Sequence, residues 1–224
     1  MARVVFVSDI HGNLPEIPSC DLLLIAGDLV PHFSFSVINS QKYWLEGTFS
    51  RWLNSIPAKE VVGIAGNHDF IFQECPEKVP KLRWHYLCDE MVEVSGLKVY
   101  GTPWQLTFFD WAYNLDESGL SDKFSKIPAG IDILVSHSPP FGIGDLARKL
   151  VDGVDYELCP VNNAGSTSLL SKVLEIKPTV HVFGHIHEGY GEYERDGIKF
   201  INASTVDRKR RPVNVPFVLE IEPR

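Results

Sequence analysis

Apolar positions along the chain fall into short runs, each stopped by a polar cluster. Five of them read VVFVSDIHGN (4–13), DLLLIAGD (21–28), EVVGIAGNHD (60–69), IDILVSHSPP (131–140) and TVHVFGHIH (179–187). Continuous runs of this length, rich in Val, Ile and Leu, predict strands buried on both faces. MVEVSGLKVYG (91–101), YGEYERDGIKFINAS (190–204) and PFVLEIE (216–222) predict further strands. The pairs Ser95-Gly96 and Asp196-Gly197 predict hairpin turns within the first two of these. Helices are fewer. Residues 41–55 place Trp44, Leu45, Phe49, Trp52 and Leu53 on one face. Residues 166–176 carry Leu169, Leu170, Val173 and Leu174 at helical spacing and stop before Pro178. There is no repeat, low-complexity tract or linker, and 224 residues suit a single domain, 1–224.

Each of the five runs carries its polar residues at the same end. Ligands of open α/β sheets bind beyond the carboxyl ends of the strands. Asp9, His11, Asp28, Asn67, His68, His137, His185 and His187 are therefore expected to converge, although they span most of the chain, and they include five of its eight histidines. Carboxylate, imidazole and carboxamide without thiolate suit Mn, Fe or Zn. One tetrahedral zinc takes about three or four protein ligands. Seven candidates, counted without His68, suit two ions sharing a carboxylate, held ~3.5–4 Å apart as in two-metal hydrolytic sites. On that arithmetic His185 and His187, one residue apart on a loop bent by Gly184 and Gly189, can each face a different ion, the alternatives being two ligands of one metal or two surface imidazoles.

Composition changes the picture little. Apolar residues make up 44% and the formal net charge is -8. An acidic chain is not built to coat nucleic acid, because neutralising phosphates takes clustered Lys and Arg. A nucleotide can still bind in a local site made positive by metal ions. The scattered cysteines Cys20, Cys75, Cys88 and Cys159 form no C-x-x-C pair, which argues for reduced thiols in a cytoplasmic protein. The first residues show no secretory pattern, and no apolar stretch approaches the ~18 residues of a membrane span. The basic run DRKRRP (207–212) reads as a solvated loop between two late strands, the alternative being a phosphate-contacting or partner-binding patch.

The order D-I-H (9–11), G-D (27–28), G-N-H-D (66–69), S-H-S-P-P (136–140) and G-H-I-H (184–187) resembles the calcineurin-like metallophosphoesterase superfamily over nearly the whole chain. The stretches GTPW (101–104), DILVSHSPPFGIGD (132–145), HVFGHIHEGYG (181–191) and INAST (201–205) are similar to the metallophosphoesterase-domain-containing proteins and their microbial relatives. The resemblance implies an α/β fold, a four-layer αββα sandwich with the site at the strand ends. It implies that Asp9, His11 and His187 hold a first metal, that Asn67, His137 and His185 hold a second, and that Asp28 bridges them. A metal-bound hydroxide would attack phosphorus, and His68 would bind phosphate or protonate the leaving oxygen. For His68 the alternative is a histidine that only orients a ligand.

The resemblance also has a departure. Ser/Thr phosphatases of the superfamily read G-D-x-x-D-R-G, whereas this chain reads GDLVPHF (27–33). Pro31 replaces the Asp that would orient the catalytic histidine, and His32 replaces a phosphate-binding Arg. A protein phosphatase is thereby disfavoured, and the partner of His68 is left open. His32 contacts phosphate or is an exposed loop histidine. Trp104 walls the pocket or packs in the core. Arg148, Asn162 and Asn163 are further candidate substrate contacts, while His85 and His181 read as structural. Specificity is expected in loops 29–40, 104–125 and 143–165. The favoured function is a dinuclear metal-dependent phosphodiesterase acting on a small phosphoester such as a cyclic nucleotide, with Mn favoured and Fe or Zn as alternatives. The rivals are a broad phosphomonoesterase, a mononuclear zinc enzyme, and a nucleotide-binding protein with little catalysis.

Overall fold

Strands β1 (Ala2–Val7), β2 (Cys20–Ala26) and β3 (Ala58–Ile64) run parallel and adjacent. The short β4 (His85–Tyr86) extends that sheet at one edge, and antiparallel β15 (Phe217–Ile221) at the other. In the computed structural model, residues 1–32, 37–148 and 161–224 are described; Cys159 and parts of the loops 29–40 and 143–165 lie outside them. A second sheet contains β5 (Glu90–Val94), β6 (Leu97–Thr102), β9 (Ile133–Ser136), β12 (Val180–Phe183), β13 (Gly191–Arg195) and β14 (Ile198–Asn202). Its order is β13-β14-β12-β9-β6-β5, and β6, β9, β12 and β14 are parallel neighbours. Two small ribbons pair β7 (Gln105–Leu106) with β8 (Asn114–Leu115), and β10 (Leu146–Arg148) with β11 (Val161–Asn163).

The five apolar runs form β1, β2, β3, β9 and β12. They read as continuous because both faces of each strand are covered. Val4, Phe6, Leu22 and Leu24 point between the sheets, where they meet Val99, Ile133 and Val182. The intervening Val5, Val7, Leu23 and Ile25 point outward onto Phe49 and Leu53. Those two residues belong to a helical stretch made of α1 (Ile38–Trp44), a π turn over Leu45–Phe49 and α2 (Ser50–Ser55). On the far side, Leu134, Phe183 and Phe200 pack on Leu120, Phe124, Leu169 and Val173. These come from α4 (Glu117–Phe124) and α5 (Thr167–Ile176), while the short α3 (Phe70–Glu74) follows β3. The result is the four-layer αββα sandwich expected. Each buried Leu or Ile contributes about 1.5–3 kcal/mol relative to exposure.

Both expected hairpins form. Ser95 and Gly96 have φ of 52° and 77°, and Asp196 and Gly197 have 53° and 76°. Two consecutive left-handed residues match the twist of the flanking strands. Helix α5 begins at its Ser166 cap, whose hydroxyl accepts from Leu169 N at 3.1 Å. Helix α4 lies in the stretch expected to be a specificity loop, 104–125. Asp116 caps it by accepting from Gly119 N at 2.8 Å. Gly119 inside the first turn weakens the helical pattern, and tertiary packing on α5 overrides that weakness.

Just beyond β1 and β14 the two sheets are joined. Ser8 N donates to Ala203 O at 2.8 Å, and Thr205 N donates to Ser8 O at 2.8 Å. The carboxyl ends of strands from both sheets therefore open onto one edge. No helix among the described residues is long and apolar enough to cross a membrane.

Candidate metal centre

The loops at that edge carry the residues singled out by sequence. Asp9, His11 and Asp28 follow β1 and β2 and have φ of 51°, 41° and 54°; His185, after β12, has 67°. Non-glycine residues rarely occupy this left-handed region, and such outliers cluster at functional sites. Here each turn aims its side chain inward. Asp9, His11, Asp28, Asn67, His68 and His137 are all at most 5% exposed. The close approach needs glycine at two points. A Cβ on Gly184 would fall against the Asp9 carboxylate and the Ser8 hydroxyl, and one on Gly66 against Asp28.

All seven expected ligands are brought together, in two groups around Asp28. In the first, His187 Nε2 lies 3.3 Å from Asp9 Oδ1 and 3.4 Å from His11 Nε2. His11 Nε2 lies 3.5 Å from Asp28 Oδ2. In the second, Asn67 Oδ1 is 2.8 Å from both His137 Nε2 and His185 Nδ1. His137 Nε2 is 3.5 Å from Asp28 Oδ1. Asp28 thus presents one oxygen to each group.

The hydrogen bonds behind these atoms set the tautomers. His137 Nδ1 donates to Ala26 O at 2.8 Å, which leaves Nε2 as a lone pair facing the Asn67 carbonyl. Acceptor against acceptor at that distance is repulsive unless a cation lies between them, and Asn67 Nδ2 is buried without a hydrogen bond. His187 Nδ1 donates to Asp207 O at 3.0 Å, which aims its Nε2 at Asp9. Ser204 Oγ donates to Asp9 Oδ2 at 2.6 Å and His185 N to the same oxygen at 3.0 Å. The donor set and its orientation fit divalent cations.

The electrostatics point the same way. Burial opposes ionisation of Asp9, but the His187 hydrogen bond and the histidine charges outweigh it and hold Asp9 well below the carboxylate range. Burial likewise opposes charge on His187, yet the Asp9 hydrogen bond and charge raise it above 6.5. The first group therefore favours positive charge beside Asp9, the kind of charge that a metal would supply. Asp28 is pushed well above its ordinary value by burial and then by the negative charges of Asp9 and Asp69. Burial lowers His137, and takes His185 down to about 3 with help from the His137 charge, so both present neutral ligand atoms.

His68 stands at the rim of this cluster. Its Nε2 is 3.8 Å from Asp28 Oδ2, and its backbone N–H donates to Asp28 Oδ1 at 2.9 Å. His11, Asp28 and His68 also lie close enough to share an ion, so geometry alone does not separate ligand from acid. Burial, then the charge of Arg210, depresses His68 to about 2. Its loop is pinned by two residues that sequence pattern did not single out. Gln41 donates to His68 O at 2.8 Å and accepts from Ile71 N at 2.9 Å. Asp69 accepts from Leu29, Val30 and Gly66 N–H groups at 2.8–3.1 Å. The N-H-D spacing was the available signal for Asp69; Gln41 had none.

His32 sits 5.7 Å from His68, ring to ring, at the exposed mouth. Trp104 packs away from the site: Nε1 donates to Asp89 Oδ2 at 2.8 Å, and its ring meets Tyr113 and Lys123. The aromatic wall expected there is formed by Trp111, 4.8 Å from the His68 ring and 6.3 Å from His185. Trp111, Phe108 and Phe109 line a cleft of about 750 Å³ that opens at His185, with Arg148 and Asn162 across it. Asn163 instead donates to Asp145 Oδ1 at 2.9 Å. His181 is buried in β12, 2.8 Å from Ser136 Oγ, and His85 is exposed beside Glu60. The basic run is only partly a solvated loop: Arg208, Lys209 and Arg211 are exposed, but Arg210 is half-buried against the cluster.

The calcineurin-like phosphoesterase family matches residues 2–189, a span that contains all seven clustered candidate ligands and His68. The chain belongs to this family. Its members are metal-dependent phosphoesterases. The chain is 34% identical over 248 residues to Metallophosphoesterase domain-containing protein 1 of Homo sapiens, covering 98% of this chain and 71% of that one. It is 32% identical over 242 residues to a UPF0046 protein of Caenorhabditis elegans, covering 98% and 80%. Among solved structures, TT1561 of Thermus thermophilus superposes with a TM-score of 0.57 at 12% identity, covering 97% of each chain. Phosphopantetheinyl Hydrolase (PptH) of Mycobacterium tuberculosis superposes with a TM-score of 0.52 at 15% identity, covering 98% of this chain and 96% of that one. These two likenesses establish the fold.

Proposed function

We propose that this phosphoesterase is a dinuclear enzyme that cleaves small phosphodiesters, cyclic nucleotides among them. The observation that carries the dinuclear part is the pair of ligand groups meeting at Asp28. Asp9, His11 and His187 hold one ion, Asn67, His137 and His185 hold the other, and Asp28 is shared. Mn is favoured, with Fe or Zn as alternatives, because imidazole and oxygen donors accept all three. When bound, two cations lower the pKa of water so that hydroxide is available near neutral pH, and they offset charge on the phosphoryl oxygens.

His68 donates the proton to the leaving oxygen. Burial keeps it neutral at rest rather than half-protonated as an ordinary histidine would be, so the anionic phosphate must raise its pKa into a working range. The preference for a diester rests on the cleft. Its volume of about 750 Å³ lies in the range of small-molecule sites, and Phe108, Phe109 and Trp111 give it flat apolar walls beside His185. A second ester substituent carrying a planar ring suits those walls. The free thiols Cys20, Cys75 and Cys88 support a reducing, cytoplasmic setting.

The test is hydrolysis by metal-stripped protein reconstituted with Mn²⁺, on bis-p-nitrophenyl phosphate, p-nitrophenyl phosphate, and 2′,3′- and 3′,5′-cyclic AMP. Metal-dependent turnover of diesters above the monoester is expected. Faster monoester cleavage moves the assignment to phosphatase, and no turnover with two bound equivalents moves it to nucleotide binding.

A further inference from the structure

The run DRKRRP carries four cations in an acidic chain, and the phosphoesterase reading gives them no task. The structure separates one of them from the rest. Val206 pairs with Pro212 in an antiparallel bridge, closing a tight turn. Inside it Asp207 N donates to Arg211 O at 3.0 Å and Arg210 N to Asp207 O at 2.7 Å. The Asp207 carboxylate takes the N–H groups of Lys209 and Arg211 at 2.9 Å each, and Arg211 Nε at 2.7 Å. That arrangement leaves Arg208, Lys209 and Arg211 exposed. Arg210 alone has a left-handed backbone, φ 57°, which turns its side chain back toward the protein.

What it turns toward is the metal centre. Its backbone carbonyl accepts from Asn13, two residues past His11, at 3.4 Å. Its guanidinium is attracted by Asp28 and Asp9, and its charge bears on His11, His32 and His68. It is half-buried, and its Nε is enclosed without a hydrogen bond. Leaving a buried donor unsatisfied is costly, so an enclosed guanidinium N–H calls for an acceptor. Asp9 and Asp28 already face the metal positions, and the remaining space at the mouth is bounded by His32 and His68, 5.7 Å apart. Guanidinium is the side chain best shaped to take two phosphate oxygens at once.

We propose that Arg210 is a substrate-binding residue, and that its guanidinium holds non-bridging phosphate oxygens at the mouth of the metal centre. The proposal rests on the phosphoesterase reading for the identity of the anion. The cation comes from the far end of the chain, beside the place where His32 stands in the GDLVPHF segment. The same turn supplies the Asp207 carbonyl that orients His187, so substrate binding and ligand orientation share one loop.

The experiment is calorimetric titration of the Mn²⁺-loaded protein with inorganic phosphate, with metal content measured on each sample. Arg210→Ala is expected to keep wild-type metal and to bind phosphate about 10–100-fold more weakly, the size of a charge-assisted hydrogen-bonded contact. Arg210→Lys keeps the charge without the fork and falls between. Lys209→Ala, an exposed cation of the same turn, leaves the affinity unchanged. Wild-type affinity in Arg210→Ala overturns the proposal, and so does equal weakening by Lys209→Ala, which would mean general loop charge. Should Arg210→Ala shed metal, Arg210→Gln decides by the same criterion. Hydrolysis assayed in parallel keeps the two readings apart. Phosphate binding that depends on Arg210 in a protein that cleaves no ester removes the enzyme reading alone. Ester cleavage with phosphate binding indifferent to Arg210 removes this proposal alone.

Discussion

Trp111 lies against the imidazole of His68, with ring centroids 4.8 Å apart and planes inclined by 47°. His11 and His32 close the other sides of that ring at 5.1 and 5.7 Å. The indole therefore holds the ring by packing, where the segment GDLVPHF carries Pro31. Trp111→Ala should lower kcat about 10-fold or more, in the range seen when groups orienting a catalytic side chain are removed, with metal content intact. Trp111→Phe should recover most of it. Unchanged kcat in the alanine variant would show that His68 is held without the indole.

The two histidines of GHIH face different partners. His187 Nε2 is 3.3 Å from Asp9, and His185 Nδ1 is 2.8 Å from Asn67. His187→Ala and His185→Ala should each remove about one metal equivalent and most activity, read by elemental analysis after dialysis. Two tightly bound metals in either variant would refute the two-group assignment.

His68 lies close enough to His11 and Asp28 to share an ion with them, so a variant must separate ligand from acid. His68→Asn should keep both metals and slow turnover by about 10²–10⁴-fold, the usual size of a general acid contribution. A metal-deficient His68→Asn protein would make His68 a ligand.

His181 tests the fold rather than the site. It is fully buried and lowered from 6.5 to about 3 by burial. Below pH 6.5 the unfolded chain takes up a proton that the folded chain refuses, so stability must fall as pH drops from 6.5 toward 3. Between pH 6.5 and 4.5 this one group accounts for up to about 2–3 kcal/mol. His181→Leu should flatten the decline in urea-unfolding free energy by that amount. Parallel declines in the two proteins would mean that His181 does not resist protonation.

The candidate metal centre was legible because its chemistry sits where the sequence pattern changes. A buried strand announces its end by polar residues, so Asp9, Asp28, Asn67, His137 and His185 mark themselves, and the layers follow from strands that are apolar on both faces. The wall of the cleft was not legible. Trp104 and Trp111 are both tryptophans in aromatic surroundings, and Asp89, fifteen residues before Trp104, holds the one that turns away. Gln41 was hidden for the same reason, since its contact spans 27 residues. The run DRKRRP was visible as a patch, but nothing in the sequence set Arg210 apart, because its contact with Asn13 reaches the opposite end of the chain. Helix α4 was obscured by Gly119, and its stability comes from α5 rather than from its own residues.

The four left-handed residues of the candidate site have one more consequence. Each such backbone costs of order 1 kcal/mol or more, and glycine would relieve it. Asp9, His11, Asp28 and His185 are thus positions where a sturdier chain and a working chain want different amino acids. Screens for thermal tolerance that ignore activity should drift toward glycine there. The backbone outliers record which residues were kept for what they hold rather than for how well they fold.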